Sequence, residues 1–136
     1  ADRISWVKDV RIEDLDVRMP SMILQPLVEN SIKHGIVDMK SGGTITLRVF
    51  RDNGTLVIEV CDNGVGMDAE KREKLLYGTD FYEENSLDRS QTPSVGIGMI
   101  NVITRLRVFF DDNRIFDIRS NSPEPGTTFS IRIRNV

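Results

Sequence analysis

The sequence has almost none of the residues from which metal clusters and disulfide scaffolds are built. Its 136 residues include one cysteine, Cys61, and one histidine, His34. A single cysteine excludes an internal disulfide and a multi-thiolate metal site, and a single histidine excludes a multi-histidine metal centre. Cys61 lies in an apolar segment, which indicates a core position rather than a reactive thiol. A Ser-His-Asp hydrolase has no Gly-x-Ser-x-Gly motif to support it.

Long apolar runs and an excess of positive charge are also missing. No stretch approaches the ~20 apolar residues that cross a bilayer, and we expect no signal peptide. The net charge of -3 gives no basic footprint, so we expect no nucleic-acid partner. A hydrophobic share of 39% with 29% charged residues is typical of a globular protein. We predict a single domain over residues 1–136, and the start at Ala1 indicates a piece of a longer protein.

Hydrophobic periodicity predicts two long helices and a short one. The first is expected to begin at Pro20-Ser21, where serine is a good N-cap, and to end at Gly35. Residues 68–76 are expected to form the short helix, and Gly96-Ile97-Gly98 to begin the second long one. Residues 77–95 lose periodicity, which indicates a long functional loop. The buried stripe of the first helix is predicted to contain Ile23, Leu24, Leu27, Val28 and Ile32.

Alternating segments predict the strands. One or two strands are expected within residues 1–19, and Gly42-Gly43 is expected to be a turn. Residues 44–50 and 56–60 are predicted to pair through a hairpin at Asp52-Asn53-Gly54. Two more strands are predicted over 115–120 and 128–133. Paired strands with helices over one face indicate an α+β two-layer sandwich.

The most informative run is Asp62-Asn63-Gly64-Val65-Gly66-Met67, directly after the apolar segment 56–61. A strand that ends in a carboxylate followed by two close glycines places a hydrogen-bond acceptor beside a backbone that another group can approach. This arrangement suits a flat, polar ligand such as a purine. The same residues are also ordinary turn chemistry, which leaves a simple turn as the alternative.

Three other segments are compatible with a nucleotide site. Asn30 and Lys33 are expected to share a helix face, where an amide oxygen suits Mg²⁺ and an ammonium suits phosphate. The alternative is a solvated face with a Glu29–Lys33 ion pair. Gly96-Ile97-Gly98 offers the N–H groups of a helix start to phosphate, or is a plain helix start. Gly126-Thr127-Thr128 places two hydroxyls before the last strand, or is a simple turn-to-strand junction.

Taken in order, these four segments resemble the N, G1, G2 and G3 boxes of the GHKL ATPase and kinase superfamily. The resemblance is strongest to the ATP-binding catalytic domains of LytS/YesM-type sensor histidine kinases. It is carried by Leu24-Gln-Pro-Leu-Val-Glu-Asn-Ser-Ile-Lys-His-Gly35 and Gly96-Ile-Gly-Met-Ile-Asn-Val-Ile-Thr-Arg-Leu106. The resemblance implies a Bergerat-type two-layer α/β sandwich, in which a mixed sheet is covered on one face by helices.

The resemblance also implies ATP and Mg²⁺ as cofactors and a role for each site residue. Asp62 would accept a hydrogen bond from the adenine amino group, partly through water, and Asn30 would coordinate Mg²⁺. Residues 77–95 would form the lid over the nucleotide. Arg105 is a candidate for charge stabilisation during phosphoryl transfer, together with Asn30 and Lys33. The remaining nucleotide contacts would come from Lys33, His34, Gly64, Gly66, Met67, Gly96, Gly98, Met99, Thr127 and Thr128.

The implied activity is transfer of the γ-phosphoryl group of ATP to a histidine on a separate, upstream dimerisation segment in two-component signalling. A response regulator would act downstream. The parent protein is expected to be a membrane-anchored homodimer with this domain in the cytoplasm. His34 falls in the implied ATP site, so we expect the chain to bind ATP without phosphorylating itself.

One departure from the superfamily pattern concerns water activation. The ATPase branches carry a glutamate one helical turn before the metal-binding asparagine, and Pro26 occupies that position here. Glu29 points roughly 100° away from Asn30 on the helix. This favours transfer to a histidine nucleophile over hydrolysis. The alternatives are a nucleotide-binding scaffold without kinase activity and another GHKL ATPase, and Phe109 and Phe110 could dock a protein beside any of these.

Overall fold

Five strands form one mixed sheet in the computed structural model, which describes residues 4–11, 23–36, 42–77, 94–120 and 123–134. The order across the sheet is β1-β2-β3-β5-β4. β1 pairs in parallel with β2, and the other neighbours are antiparallel. The strands are β1 (Ile4–Val10), β2 (Gly43–Asp52), β3 (Thr55–Asp62), β4 (Phe116–Ser120) and β5 (Thr127–Ile133).

Three α-helices belong to the described part of the chain. They are α1 (Leu24–Asn30), which continues as a π-helical turn (Ser31–Ile36), α2 (Ala69–Tyr77) and α3 (Ser94–Phe110). Their apolar side chains pack on one face of the sheet, which confirms the predicted α+β two-layer sandwich. No helix within the described residues combines the length and the apolar character needed to cross a bilayer. The best-buried large side chains of this core are Leu27, Ile45, Leu56, Leu76, Met99, Ile103, Leu106, Ile115, Ile118, Phe129, Ile131 and Ile133.

The hairpin between β2 and β3 is confirmed. Asp52 pairs with Thr55, and the two residues between them, Asn53 and Gly54, have φ angles of 51° and 84°. Positive φ at both central residues is what a two-residue type I′ hairpin turn requires, because its twist matches the twist of the strands. Asparagine and glycine are the residues that adopt this conformation at the lowest cost.

Capping explains where α2 begins and α3 ends. The Lys71 amide donates to Asp68 Oδ1 at 2.8 Å, so Asp68 caps the first turn of α2. At the other helix, Asp111 has a φ of 49°, and the Asp112 amide donates to the Arg107 carbonyl at 3.1 Å. A left-handed residue followed by this backward hydrogen bond is a Schellman motif, which ends a helix without leaving its last carbonyls unpaired.

The sheet face opposite the helices carries a charged network. The Glu59 side chain is buried, and its Oε2 accepts hydrogen bonds from Arg119 at 3.1 Å and from the Ser130 hydroxyl at 3.0 Å. Arg48 lies 3.8 Å from Oε1. A buried carboxylate is tolerated because these partners compensate its lost hydration.

The predicted start and end of the first helix need correction. The described helix begins at Leu24, with Ile23 at the N-cap position and no side-chain cap, whereas Pro20-Ser21 lies outside the described residues. Leu24, the first residue of the helix, is exposed and does not belong to the buried stripe predicted for it. Gly35 does not end the helix but lies within the π-helical turn. Pro26 falls in the first turn, where proline is tolerated.

Three further predicted boundaries were wrong. Gly43 is the first residue of β2 and not part of a turn. A Cβ at Gly43 would lie 2.3 Å from Cγ2 of Ile36, so the strand comes too close to the π-helical turn for any side chain. The second long helix starts at Ser94, two residues before Gly96. The predicted loop lies mostly outside the described residues, and its first residue, Tyr77, belongs to α2.

Candidate functional site

Asp62, at the end of β3, is the centre of the site. Its side chain is buried, and its Oδ1 accepts hydrogen bonds from the backbone amides of Gly64 at 2.9 Å and Thr127 at 3.3 Å. β3 and β5 are adjacent strands, so the end of one lies beside the start of the other. The two amides fix the orientation of the carboxylate.

Burial raises the pKa of Asp62 above its usual range, because an ionised carboxylate loses hydration inside the protein. The Gly64 amide, the Ser31 hydroxyl and the Thr127 amide each lower this pKa and offset part of the effect. A buried carboxylate with a raised pKa inside a pocket is typical of a ligand site, although charge networks produce such shifts as well.

The loop after Asp62 contacts the loop before β5 through its backbone. Gly66 has a φ of 85°, and a Cβ there would lie 3.4 Å from the Gly126 carbonyl oxygen. The Ser120 hydroxyl donates to the Met67 carbonyl at 2.5 Å and ties the same loop to the end of β4. The positive φ gives glycine at position 66 a conformational reason independent of any ligand.

The end of α1 contributes two buried polar side chains, Asn30 and Ser31. The helix widens there, and the Ser31 amide donates to both the Leu27 and the Val28 carbonyls. Single π-helical turns within helices occur often at functional sites. Lys33 is exposed although Asn30 is buried, because a wider turn no longer places residues three apart on one face. The expected shared face is therefore wrong.

These elements enclose a pocket beneath the helical layer. Its space for a ligand, about 10 Å³, corresponds to a single water molecule. Of the residues that the sequence predicted, the structure brings five together around it: Asn30, Asp62, Gly66, Met67 and Thr127.

Three lining residues were missed by sequence reasoning: Ser31, Lys71 and Phe129. A signal existed for each of the first two. Ser31 directly follows the predicted metal ligand, and Lys71 is the third residue after the aspartate that caps α2. Phe129 follows Thr127 by two residues in β5, and the period of a strand places alternate residues on one face.

Several predicted contacts lie elsewhere in the structure. The Thr128 hydroxyl donates to Sγ of Cys61 at 3.2 Å, on the sheet face opposite the pocket, because adjacent strand residues point to opposite faces. Met99 is part of the hydrophobic core and does not line the pocket. Gly64 contributes its amide to Asp62 rather than a pocket wall.

The remaining predicted residues lie on the two helical segments. Lys33 is exposed, and the side chain of His34 lies outside the described residues. Gly96 falls within the first turn of α3. Gly98 is exposed, and a Cβ there would meet nothing within 4 Å, so the backbone at this point is open to close approach. Arg105 is exposed on the same helix.

Asn30 is chemically compatible with the Mg²⁺ that the sequence resemblance implies. Mg²⁺ binds few protein groups and takes its other ligands from water and phosphate oxygens. A single amide oxygen from Asn30 would therefore be enough as the protein ligand. Within the described ranges, no three His, Cys, Asp or Glu side chains lie together in a way that could hold a metal ion. The buried Ser31 hydroxyl of the same pocket acts on the Asp62 carboxyl but makes no hydrogen bond of normal geometry, so it could still pair with water or a polar ligand.

Comparisons with known proteins agree with this geometry. The chain is 33% identical to the sensor histidine kinase/phosphatase LytS of Staphylococcus aureus over 89% of its length, which is 19% of LytS. It is 28% identical to the sensor histidine kinase YpdA of Escherichia coli over 98% of its length, or 21% of YpdA. It is 35% identical to the uncharacterized protein YwpD of Bacillus subtilis over 89% of its length, or 38% of YwpD. The chain thus spans about 19% to 38% of the length of these relatives.

Solved structures show the same fold. The mycobacterial sensor histidine kinase MprB superposes with a TM-score of 0.60 at 19% identity, over 96% of this chain and 80% of that one. The catalytic domain of the histidine kinase ThkA gives a TM-score of 0.62 at 15% identity, over 96% and 79%. The family described as histidine kinase-, DNA gyrase B- and HSP90-like ATPases matches residues 15–136. Since this match covers most of the sequence, the chain belongs to that ATPase family.

Proposed function

We propose that this chain binds Mg²⁺-ATP and donates the γ-phosphoryl group to a histidine on a separate dimerisation segment in two-component signal transduction. The observation that carries the proposal is the buried Asp62 carboxylate, held by the Gly64 and Thr127 amides next to Asn30 in one pocket. The match to histidine kinase-like ATPases supports ATP as the nucleotide.

Asp62 provides the base recognition in this proposal. An ionised carboxylate only accepts hydrogen bonds, so it favours a base that presents an amino group, as adenine does. A base with a carbonyl oxygen at that position would place two acceptors against each other. The pocket walls have to open for the ring to enter, and Met67 and Lys71 are half-buried side chains with enough rotatable bonds to move.

The phosphates would lie toward the ends of the two helical segments. Asn30 would hold Mg²⁺, which offsets the phosphate charge when bound. Lys33 is exposed and able to meet that charge, and His34 would lie nearby. Gly96 and Gly98 would let the phosphates approach the start of α3, where helix N–H groups favour anions. Arg105 would stabilise charge during the transfer.

Transfer to a histidine is favoured over hydrolysis because helix α1, which carries Asn30, has no well-placed general base to activate a water molecule. Pro26 stands one turn before Asn30, where the ATPase branches carry a glutamate. Glu29 is exposed and accepts a hydrogen bond from Gln25 at 3.1 Å instead of facing the pocket. In phosphoryl transfer the protein mainly orients the groups and offsets charge, so no covalent residue is required in this domain.

The partners follow from the same proposal. The acceptor histidine would lie on upstream dimerisation helices of the same protein, and a response regulator would receive the phosphoryl group. The parent would be a membrane-anchored homodimer with this domain in the cytoplasm. Relatives named as sensor histidine kinases support this assignment.

The first test is calorimetric titration with Mg²⁺ and a non-hydrolysable ATP analogue. Asp62→Asn should weaken binding about 10- to 100-fold, the equivalent of about 1.5–3 kcal/mol for a hydrogen bond to a charged group. Asp52→Asn is the matched control, since Asp52 pairs with Arg132 at the far end of the β2–β3 hairpin. Binding by the wild type that survives in Asp62→Asn would exclude the proposed role of Asp62.

The second test concerns phosphorylation itself. Incubation of the chain with γ-labelled ATP should leave no stable phosphate on His34, because this residue belongs to the proposed ATP site and is not the acceptor. Label on a histidine of the upstream helices, in a longer form of the protein, is the expected positive result. Stable label on His34, or steady ATP hydrolysis by the isolated chain, would contradict the proposed reaction.

A further inference from the structure

The sheet face opposite the helices carries an open groove of about 460 Å³, which is within the size range of ligand sites. Four arginines line it together with three carboxylates, and the arginines are Arg11, Arg48, Arg119 and Arg132. The groove therefore has one positive charge in excess, although the whole chain carries a net charge of -3. A local excess of positive charge on an acidic protein favours an anionic partner at this face.

Two of the arginines share a single carboxylate. Glu59 is buried, and its Oε2 lies 3.1 Å from Arg119 while its Oε1 lies 3.8 Å from Arg48. The second distance is too long for a hydrogen bond, so the contact of Arg48 with Glu59 is an ion pair only. The Arg48 and Arg119 side chains are 43% and 51% exposed. They present further N–H donors to solvent, because a guanidinium carries five of them.

A second positive position lies one row of outward-facing residues along the sheet. Arg132 is two residues, or about 7 Å, beyond the residue that pairs with Glu59. It contacts Asp52 at 3.4 Å, and both side chains are well exposed, so this pair is weak. Phe50 adds an apolar surface to the groove, and its register neighbour Val57 is completely buried.

We propose that this groove binds an extended acidic segment of a partner protein. Two carboxylates of the segment, at positions i and i+2, meet the Arg48–Arg119 pair and Arg132. Alternate side chains of an extended chain point the same way and lie about 7 Å apart, which is the spacing of the two positive positions. Guanidinium groups hold carboxylates through paired N–H donors, and Phe50 offers the segment an apolar contact.

The charge pattern favours a peptide over a uniformly anionic surface such as a lipid membrane. Asp9 and Asp52 line the same groove and are partly exposed. A flat anionic surface would meet these carboxylates and be repelled, whereas a peptide can place a carboxylate only where an arginine stands. The inference does not depend on ATP binding, since the groove shares no lining residue with the Asp62 pocket.

The probe is the end-capped pentapeptide Thr-Glu-Thr-Glu-Thr, titrated into ¹⁵N-labelled protein at low ionic strength and followed by NMR. Its matched control is Thr-Glu-Glu-Thr-Thr, which has the same charge but directs its two carboxylates to opposite sides of an extended chain. The first peptide should shift the side-chain Nε–H signals of Arg48, Arg119 and Arg132. The second should bind about 2- to 5-fold more weakly, because it can use only one of the two positions at a time.

Three variants test which arginines bind the peptide. Arg48→Gln and Arg132→Gln should each weaken binding of Thr-Glu-Thr-Glu-Thr about 2- to 5-fold, as expected for an exposed ion pair. Arg114→Gln is the matched control and should leave peptide affinity unchanged, because Arg114 is exposed between α3 and β4, outside the groove. ATP affinity should be the same in all three. Arg48→Gln should also unfold near the wild-type temperature, because its contact with Glu59 is no hydrogen bond.

Three results would overturn the proposal. Equal affinity for the two peptides, or unchanged affinity in both Arg48→Gln and Arg132→Gln, would mean that the spacing of the arginines recognises nothing. The same NMR shifts with inorganic phosphate at equal concentration would make the groove a site for small anions. Binding to vesicles of phosphatidylglycerol and phosphatidylcholine, without binding of either peptide, would assign this face to a membrane.

Discussion

Replacing Gly66 with alanine tests whether the loop after β3 is shaped by its backbone conformation or by crowding. Gly66 has a φ of 85°, a left-handed conformation that costs a residue with a side chain about 1–2 kcal/mol. The new Cβ would lie 3.4 Å from the Gly126 carbonyl oxygen, which is close to ordinary van der Waals contact and adds little. Alanine also restricts the unfolded chain, which returns about 0.4–1 kcal/mol. We expect Gly66→Ala to destabilise the protein by about 1 kcal/mol.

Two other glycines provide matched controls for this value. Gly54 has nearly the same φ, 84°, but a Cβ there would meet nothing within 4 Å, so Gly54→Ala measures the conformational cost alone. Gly98 lies in α3 with open space around it, and Gly98→Ala should stabilise the protein by about 1 kcal/mol through helix propensity. Of these three glycines, Gly66 and Gly98 belong to the proposed nucleotide site and Gly54 does not.

The assay is urea unfolding followed by far-UV circular dichroism, with ATP affinity measured in parallel. Gly66→Ala and Gly54→Ala should agree in free energy of unfolding within about 0.5 kcal/mol. Only Gly66→Ala and Gly98→Ala should weaken ATP binding. A loss above about 3 kcal/mol at Gly66 alone would refute the reasoning, because crowding against Gly126 would then outweigh backbone strain.

Three further predictions concern charge, capping and the outer sheet face. Burial raises the pKa of Asp62, so the folded state binds the proton of this carboxyl more tightly than the unfolded state does. The stabilisation from this proton is complete below pH 3.8, the value for the unfolded chain, and is lost as the pH rises through the raised pKa of the folded state. Denaturant titrations should therefore show Asp62→Asn gaining stability relative to wild type between pH 3.8 and neutrality, while wild-type ATP affinity falls on acidification. Glu59→Ala should lower the free energy of unfolding in urea by about 2 kcal/mol. This is less than the loss for breaking a fully buried ion pair, because the arginine partners of Glu59 reach solvent, and ATP affinity should be unchanged. Asp68→Ala should cost about 1 kcal/mol by thermal unfolding through loss of the cap on α2, and an unchanged melting temperature would exclude that cap.

Elements defined by neighbouring residues were predictable from the sequence. The β2–β3 hairpin follows from Asn53-Gly54 between two alternating segments, and the structure confirms it. The charged face of residues 68–76 predicts a short helix, and the structure has it one residue later, at Ala69–Tyr77. In each case the residues that decide the structure lie within a few positions of one another, so no knowledge of the rest of the chain was required.

Boundaries that depend on distant contacts were not predictable. Gly43 was expected in a turn because glycine pairs are common there, yet the side chain of Ile36 occupies the space that a Cβ would fill. The sequence does not predict the π-helical turn after Asn30 either, because residues Ser31–Ile36 are also compatible with an ordinary α-helix. Both features arise where a helix end packs against the sheet.

The threonine pair shows how closely a site prediction depends on strand register. Thr127 and Thr128 have the same chemistry, and the sequence assigned both to the nucleotide. The pairing of β5 with β3 places Thr127 in the pocket and turns Thr128 toward Cys61. A shift of one residue would exchange them, and only the partner strand fixes that choice.

The strand order has a consequence for synthesis of the protein on the ribosome. β5 lies between β3 and β4, although it follows both of them along the chain. Until β5 emerges, β3 presents an unpaired edge, Asp62 lacks the Thr127 amide, and the core lacks Phe129 and Ile131. Because unpaired strand edges promote aggregation, the nascent chain is most in need of chaperone protection just before its fifth strand is released. The arrival of β5 therefore completes the sheet, the core and the candidate ligand site in one late step.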